Sequence, residues 1–335
     1  STLNPPEDVE LAELLIKDNS WADSVKFART GGESMSIAVR LARAFTKKDN
    51  VAVCGYHGWH DWYLSSNLTN NKNLEQHLLP NLSIKGVPKK LKGTVYPFKY
   101  NDFNYLKKII KQKKIGVIKM EVVRNIMPKN NFLKRVRKIA TENNIVLIFD
   151  ECTTGFRGTY GGLHKVFGVN PDLAIFGKAI GNGYAINAII GRKKIMNMAN
   201  QSFISSTFWT EKIGYVAGLA TIKEMEKIRS WEKVNSIGKK IKKFWSDSAK
   251  KNRLKINVQG MDSLPSFTII SQDWQKYKTL ISQELLKKNI LGSNVFYPST
   301  KHTQKITKKY IIIMQKIFKL ISLCEKKKIN INNIL

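Results

Sequence analysis

The spacing of apolar residues changes repeatedly along the chain, and each spacing predicts a different element. Proline, then acidic residues, then apolar residues at helical spacing predict a first helix over residues 5–18. A strand beginning at Ser24 leads into a glycine turn. Further amphipathic helices are predicted over residues 33–49, 100–114 and 130–144. Runs of mainly apolar residues predict strands over residues 50–56, 115–121, 145–151, 172–178 and 183–191. This alternation indicates an α/β domain around a mostly parallel sheet.

Helical spacing prevails in the last third of the chain. Long helices are predicted over residues 210–228, 236–251, 273–289 and 301–328, with one strand over residues 263–271. This order of elements predicts a smaller α+β domain at the C-terminal end. We therefore divide the chain into a large domain over residues 1–225 and a small domain over residues 226–335, as a chain of 335 residues suggests.

Composition and charge narrow the class of protein. A hydrophobic content of 42% suits a globular core, and no apolar run approaches the about 20 residues of a membrane helix. The formal net charge of +32 could indicate a nucleic-acid binder, but the basic residues are spread along the chain and form no binding motif. We favour solvated basic faces and expect no membrane and no specific nucleic-acid partner.

Cysteine and histidine are too scattered to predict a disulfide framework or a metal site. The three cysteines are far apart, and the five histidines have no ligand spacing. The first residues lack the basic-then-apolar layout of a secretion signal. We therefore expect a cytoplasmic protein without a metal. The chain does not begin with Met, so we expect either a fragment of a longer protein or a chain that has lost its first residues.

Four short motifs follow predicted strands, where an open parallel sheet collects its ligands. Gly31 and Gly32 lie between a strand and a helix, so their backbone amides could hold one phosphate group. Tyr56 and His57 follow the next strand and could cover a flat ligand. Ordinary aromatic packing explains this second motif at least as well.

The other two motifs place ionisable groups at the ends of apolar strands. A buried Asp150 needs a cationic or hydrogen-bonding partner, and a functional role gains weight because Glu151, Thr153 and Arg157 share its loop. Lys178 ends an apolar run among glycines, where burial would disfavour its charged form and leave a nucleophilic amine. A surface lysine with a packed stem is the alternative.

Taken in chain order, the four motifs match the needs of pyridoxal 5′-phosphate. This cofactor has a phosphate to anchor, a flat ring to cover, a pyridine nitrogen to keep protonated and an aldehyde to join to lysine. The segments "GYHGWHDWY", "LIFDECTTGFR", "FGVNPDLAIFGKAIGNGY" and "SSTFWTE" also resemble the class III pyridoxal-phosphate aminotransferases, the family that includes glutamate-1-semialdehyde 2,1-aminomutase. The resemblance covers nearly the whole chain. It implies fold-type I, with a mostly parallel seven-stranded sheet, helices on both faces and the smaller C-terminal domain.

The resemblance also implies a role for each site residue. Lys178 would form the internal aldimine, and Asp150 would pair with the pyridine nitrogen; these are the two catalytic residues. Thr207 would reach the phosphate in the neighbouring subunit of a homodimer. The other predicted cofactor contacts are Gly31, Gly32, Tyr56, which would stack on the ring, His57, Cys152 and Thr153.

The implied activity is transfer of an amino group from an amino donor to an aldehyde or keto acceptor. Two alternatives stay open: a glutamate-1-semialdehyde aminomutase, which moves the group within one molecule, and an inactive truncated relative. The family normally has a further N-terminal segment before the part that matches here. That difference, together with departures from the family pattern at Gly32 and Ile126, motivates the second alternative.

Overall fold

The described residues of the chain form two compact units. In the computed structural model, Ser1–Arg124 and Pro128–Ile228 belong to one unit, and Asn125–Met127 and Arg229–Leu335 to the other. The residues whose structure is described are 3–75, 77 and 83–335. The functional division into domains over residues 1–225 and 226–335 stays a prediction.

The first unit is built on a seven-stranded sheet. Its strands are β1 Ser24–Ala28, β2 Asn50–Cys54, β3 Val95–Pro97, β4 Ile115–Glu121, β5 Val146–Glu151, β6 Leu173–Phe176 and β7 Asn187–Gly191. They lie in the order β1-β7-β6-β5-β4-β2-β3. Strand β7 runs antiparallel to both of its neighbours, and the other neighbouring pairs are parallel. The predicted mostly parallel, seven-stranded sheet is confirmed.

Helices cover both faces of this sheet. The helices of the first unit are α1 Pro6–Asp18, α2 Gly31–Thr46, α3 Asp61–Leu64, α4 Phe103–Lys113, α5 Phe132–Glu142, α6 Lys193–Met196 and α7 Lys212–Ile228. On one face Val117 and Ile148 pack in one apolar cluster with Leu41 of α2. On the other face Phe176 belongs to a cluster with residues of α1 and α7, among them Leu11. Because both faces are covered, β4 and β5 are buried at every position, which explains their continuous apolar sequence.

The second unit pairs a hairpin with three helices. Its elements are α8 Ser230–Lys251, β8 Ile256–Met261, β9 Leu264–Ile269, α9 Trp274–Leu286 and α10 Gln304–Glu325. Strands β8 and β9 pair antiparallel, and Trp245, Phe267 and Phe318 are fully buried at the centre of the unit. Among the described residues of both units, no helix combines the length and the apolar character needed to cross a membrane.

The close approach of α8 to the β8–β9 turn requires glycine at position 238. A Cβ atom added at Gly238 would lie 1.6 Å from the backbone oxygen of Asp262. We expect Gly238→Ala to lower the free energy of unfolding by about 2 kcal/mol, because backbone must move, although alanine favours helix. Ser236→Ala, on the exposed face of the same helix, is the control and should be neutral or slightly stabilising. Equal stability of the two variants in urea titrations would contradict this packing.

Candidate active site

The amine of Lys178 lies just beyond the end of β6. The strand stops at Phe176, and a Cβ atom at Gly177 would lie 1.9 Å from Asn187 Oδ1, so only glycine fits there. Lys178 follows with a φ of +48° and starts a short helical turn. Its Nζ donates a hydrogen bond of 2.9 Å to Thr153 Oγ1. The residue is exposed, so the predicted burial of its amine is wrong: the chain leaves the apolar run before the lysine.

Asp150 is the buried acid of the site. Only 4% of its surface is exposed, at the carboxyl end of β5. His57 Nδ1 donates to Asp150 Oδ2 over 2.8 Å, and the amide of Cys152 donates to Oδ1 over 3.1 Å. The Nζ atom of Lys119, on the neighbouring strand β4, lies 4.0 Å from Oδ2. The buried carboxylate therefore has three partners of the expected kind, namely two hydrogen-bond donors and one ammonium group.

These contacts set the charges of the group. Burial alone would raise the pKa of Asp150, but the charge of Lys119 and the hydrogen bond from His57 outweigh it and hold the pKa below its ordinary value. Burial, assisted by Lys119, lowers the pKa of His57 to about 4. A neutral imidazole that donates from Nδ1 carries its proton there, because a carboxylate only accepts. At neutral pH the pair is therefore a carboxylate held by a neutral histidine.

The turn after β2 is fixed by hydrogen bonds to its backbone. The amide of Tyr56 donates to Glu121 Oε2 over 3.2 Å, and the amide of Gly55 donates to His77 Nδ1 over 2.9 Å. Arg124 lies 3.3 Å from the same Glu121 oxygen, and its guanidinium carbon is 5.9 Å from the centre of the Tyr56 ring. Burial, only partly offset by Arg124, raises the pKa of Glu121 to about 7. The half-buried Tyr56 ring is thereby held next to the site.

Gly31 and Gly32 are the first two residues of α2, which begins two residues earlier than predicted, and their amides face no protein acceptor. Thr30 and Glu33 form a reciprocal cap: Glu33 Oε2 accepts from the amide of Thr30 over 2.8 Å, and Thr30 Oγ1 accepts from the amide of Glu33. In the described part of the chain, no hydrogen bond uses the amides of Gly31 and Gly32. Both therefore can bind an anion at the positive end of the helix.

The glycine motif and the aromatic turn lie side by side. A Cβ atom added at Gly58 would lie 3.5 Å from Gly32 Cα, and one added at Gly32 would lie 2.8 Å from His60 Nε2. A Cβ at Gly31 would meet nothing within 4 Å. The structure thus joins two motifs that are about 25 residues apart in the sequence, and space beside Gly31 is open.

The remaining predicted residues divide into two groups. Cys152 and Thr153 contact the two predicted catalytic residues. The amide of Cys152 donates to Asp150, and the hydroxyl of Thr153 accepts from Lys178 Nζ. Thr207 is exposed in the short helical segment Thr207–Thr210, and no described contact joins it to the other site residues. Its role stays a prediction.

Glu151 belongs to a separate buried network. Its carboxylate accepts from Thr154 Oγ1, from the amide of Leu163 and from both the amide and the Nδ1 atom of His164. All its bonds hold the loop that follows β5. Its position next to Asp150 in the sequence reflects this structural role, since consecutive strand residues point to opposite faces.

Two partners of Asp150 were not predicted from the sequence. His57 is predicted as a cofactor contact, and the structure shows that it also binds the carboxylate directly. Lys119 interrupts the apolar run "IGVIKME", and no prediction concerns it. A lysine inside a continuous apolar strand was the signal that singled out Lys178, and the same signal was available here.

These groups fit pyridoxal phosphate by their chemistry. Lys178 offers a primary amine, Asp150 a buried carboxylate with a hydrogen-bonded orientation, and Gly31 and Gly32 two amides without an acceptor. In the described residues, no cluster of three or more His, Cys, Asp or Glu side chains could hold a metal ion. The arrangement can therefore bind an aromatic carbonyl compound that carries a phosphate.

Sequence comparison identifies the family. The sequence model described as aminotransferase class-III matches residues 2–317. The chain is 34% identical over 284 residues to the 3-aminobutyryl-CoA aminotransferase of Cloacimonas acidaminovorans, covering 82% of this chain and 64% of that protein. It is 38% identical over 248 residues to the glutamate-1-semialdehyde 2,1-aminomutase of Nitrosopumilus maritimus, covering 71% and 56%. The chain thus spans less than two thirds of the length of either relative.

Structural comparison agrees on the fold. The FumI protein of Sphingopyxis sp. MTA144, solved in its PLP internal aldimine form, superposes with a TM-score of 0.86 over 97% of this chain and 78% of that one. The sequence identity is 20%, so the likeness concerns the fold alone. It confirms the predicted fold-type I.

The low pKa of His57 predicts how stability depends on pH. Unfolding restores an ordinary histidine pKa of about 6.5, so between that pH and about 4 the unfolded chain binds the proton that the folded chain refuses. The free energy of unfolding should therefore fall by about 1 kcal/mol more between pH 6 and pH 5 in the wild type than in His57→Gln. Urea titrations at both pH values measure this difference. Identical pH dependence of the two proteins would show that His57 is not held neutral.

Proposed function

Because the chain belongs to the class III aminotransferases, we propose that it is a pyridoxal-phosphate-dependent enzyme. It moves an amino group from a small-molecule amino donor to an aldehyde or keto acceptor. The observation that carries this proposal is the pairing of an accessible amine, Lys178 Nζ at 2.9 Å from Thr153, with the buried and anchored carboxylate of Asp150 on the adjacent strand end.

Each side chain has a distinct task in the proposed reaction. When bound, pyridoxal phosphate supplies an electron sink that stabilises negative charge on the substrate carbon. Lys178 Nζ would take the proton from that carbon and deliver it to the cofactor, and in the second half of the reaction it would move a proton in the opposite direction, onto the carbonyl carbon of the acceptor. Asp150 keeps a negative charge beside the ring nitrogen, and neutral His57 fixes the direction of its carboxylate.

The other proposed cofactor contacts involve residues of the neighbouring turns. The free amides of Gly31 and Gly32 would hold the phosphate at the N-terminus of α2. Tyr56 would stack on the ring, and Cys152 would be a small apolar contact against it. Thr153, which already binds Lys178 Nζ, orients the amine.

Intramolecular transfer is the second candidate. The relatives of Nitrosopumilus maritimus and Ignicoccus hospitalis carry the name glutamate-1-semialdehyde 2,1-aminomutase, the latter at 30% identity over 94% of this chain. An aminomutase converts glutamate-1-semialdehyde alone with repeated turnover. An aminotransferase stops after one half-reaction until it receives a second substrate. Turnover of this single compound therefore decides between the two.

We also propose that the protein is a cytoplasmic homodimer with shared active sites. Exposed Thr207 would serve the phosphate of the neighbouring subunit, as in the family that the sequence resembles. Residues 1–225 would form the cofactor domain and residues 226–335 the small domain. The cysteines Cys54, Cys152 and Cys324 are free thiols, which suits a reducing compartment.

Covalent attachment tests the proposed function first. Wild-type protein mixed with pyridoxal phosphate should develop the absorption band of a lysine-bound cofactor, and borohydride should fix the cofactor's mass on the peptide that contains Lys178. Lys178→Ala should lose the band and at least about a hundredfold in amino-transfer rate. Lys193→Ala, which removes an exposed lysine nearby in sequence, is the control and should behave as wild type. An inactive relative would show no band, and labelling of another lysine would refute the assignment of Lys178.

Subunit mixing tests the shared site. Neither Lys178→Ala nor Thr207→Val should be fully active alone, but a purified heterodimer of the two should recover about half of the wild-type rate. Recovery occurs because one site then receives Lys178 from one subunit and Thr207 from the other, both intact. If Thr207 served its own subunit, each site of the heterodimer would keep one lesion and no activity would return. Light scattering should confirm the dimer in each sample.

A further inference from the structure

A fully buried lysine lies under the carboxylate of the site. Lys119 is in the middle of β4, where its strand neighbours are Val53 of β2 and Ile148 of β5. Its exposed surface is 0%, and within the described part of the chain its Nζ atom has no hydrogen-bond partner. The nearest charge of opposite sign is Asp150 Oδ2, at 4.0 Å. An ammonium in such a place is costly unless a charge compensates it.

Lys119 is the cation that compensates the negative charge of Asp150. His57 donates a hydrogen bond to Asp150 but is neutral at pH 7, since its pKa is about 4. Arg124 is paired with Glu121. Among the described lysines and arginines, Lys119 alone is buried. The negative charge of Asp150 is therefore balanced inside the protein by this single side chain.

Three ionisable groups around Lys119 oppose the effect of burial on its pKa. Burial lowers the pKa of Lys119, and Asp150 opposes this effect most, followed by Cys152 and then by Glu121 on the same strand. His57, from the turn after β2, adds no charge in its neutral form. Removing or sharing the charge of Asp150 would leave burial largely unopposed, and the ammonium would become an amine.

We propose that Lys119 is the counter-ion of Asp150 in the cofactor-free protein, and that the protonated ring nitrogen of pyridoxal phosphate replaces it. Two cations cannot share one buried carboxylate without a large repulsion, so the Nζ–H bond of Lys119 breaks and its proton passes to solvent. The lysine keeps the electron pair as a neutral amine. Binding of the cofactor then expels one proton from a residue that does not touch substrate. This inference rests on the proposed function, because it requires that the cofactor binds at Asp150.

Lys119 is accordingly a positioning residue that sets the affinity for the cofactor. The ammonium of Lys119 and the protonated ring nitrogen compete for the same negative charge, that of Asp150. An aliphatic side chain in β4 would fill the same volume without this competition. Lys119→Met should therefore bind pyridoxal phosphate about tenfold more tightly than the wild type, since the lysine no longer has to lose its proton.

Calorimetry of cofactor binding tests the proton release. Titrating pyridoxal phosphate into wild type and Lys119→Met at pH 7, in buffers with different heats of ionisation, gives the number of protons released per site. The wild type should release about one proton more than Lys119→Met. Lys138→Met, which removes one exposed lysine from α5, should match the wild type. Equal proton release in all three proteins, with the cofactor bound, would overturn the proposal.

A second measurement remains valid if the variant folds poorly or if the cofactor fails to bind. In cofactor-free wild type labelled with [ε-¹³C]lysine, Lys119 should titrate as an ammonium at pH 7, and Asp150→Asn should lower its pKa by at least about one unit. A neutral Lys119 at pH 7, or one indifferent to Asp150→Asn, would overturn the counter-ion. Absence of cofactor binding in the wild type would instead refute the proposed function and the proton release that depends on it.

Discussion

The site depends on keeping one carboxylate ionised in the interior. Asp150 ends a strand that is buried on both faces, where an isolated negative charge would be too costly to persist. A hydrogen bond from His57, one from the amide of Cys152 and the charge of Lys119 make it tolerable. Each of these three groups comes from a different segment, so the carboxylate also links the turn after β2, strand β4 and the loop after β5.

Much of this arrangement was predictable because short segments of the sequence carry the signals for its strands and for its site residues. Continuous apolar runs identified β4 and β5, since every position of both strands is buried. The same runs placed Asp150 at a strand end. Glycine pairs identified the start of α2, where amides without acceptors are found. Parallel strands bring such ends to one edge of the sheet, so motifs that are distant in the sequence can be combined into one predicted site.

The rest was not predictable because it depends on pairing and on small departures from regular structure. Strand β3 has three residues, and β8 is half-exposed with polar residues such as Asn257, so neither has a clear pattern. The neighbourhood of Lys119 and Asp150 requires the register between β4 and β5. Lys178 was expected to be buried, but the chain turns at Gly177 and exposes it. The spacing of apolar residues predicts an element, but it does not predict the residue at which the element ends.

The cap of α2 determines where an external anion can bind. Glu33 accepts from the amides of Arg29 and Thr30, and Thr30 satisfies the amide of Glu33 in return. The protein's own carboxylate thus occupies the outermost donors of the helix end, and the two glycine amides between them are left over. An anion at this helix end can therefore bind the amides of Gly31 and Gly32 without opposition, but it would have to displace the carboxylate of Glu33 to reach the amides of Arg29 and Thr30.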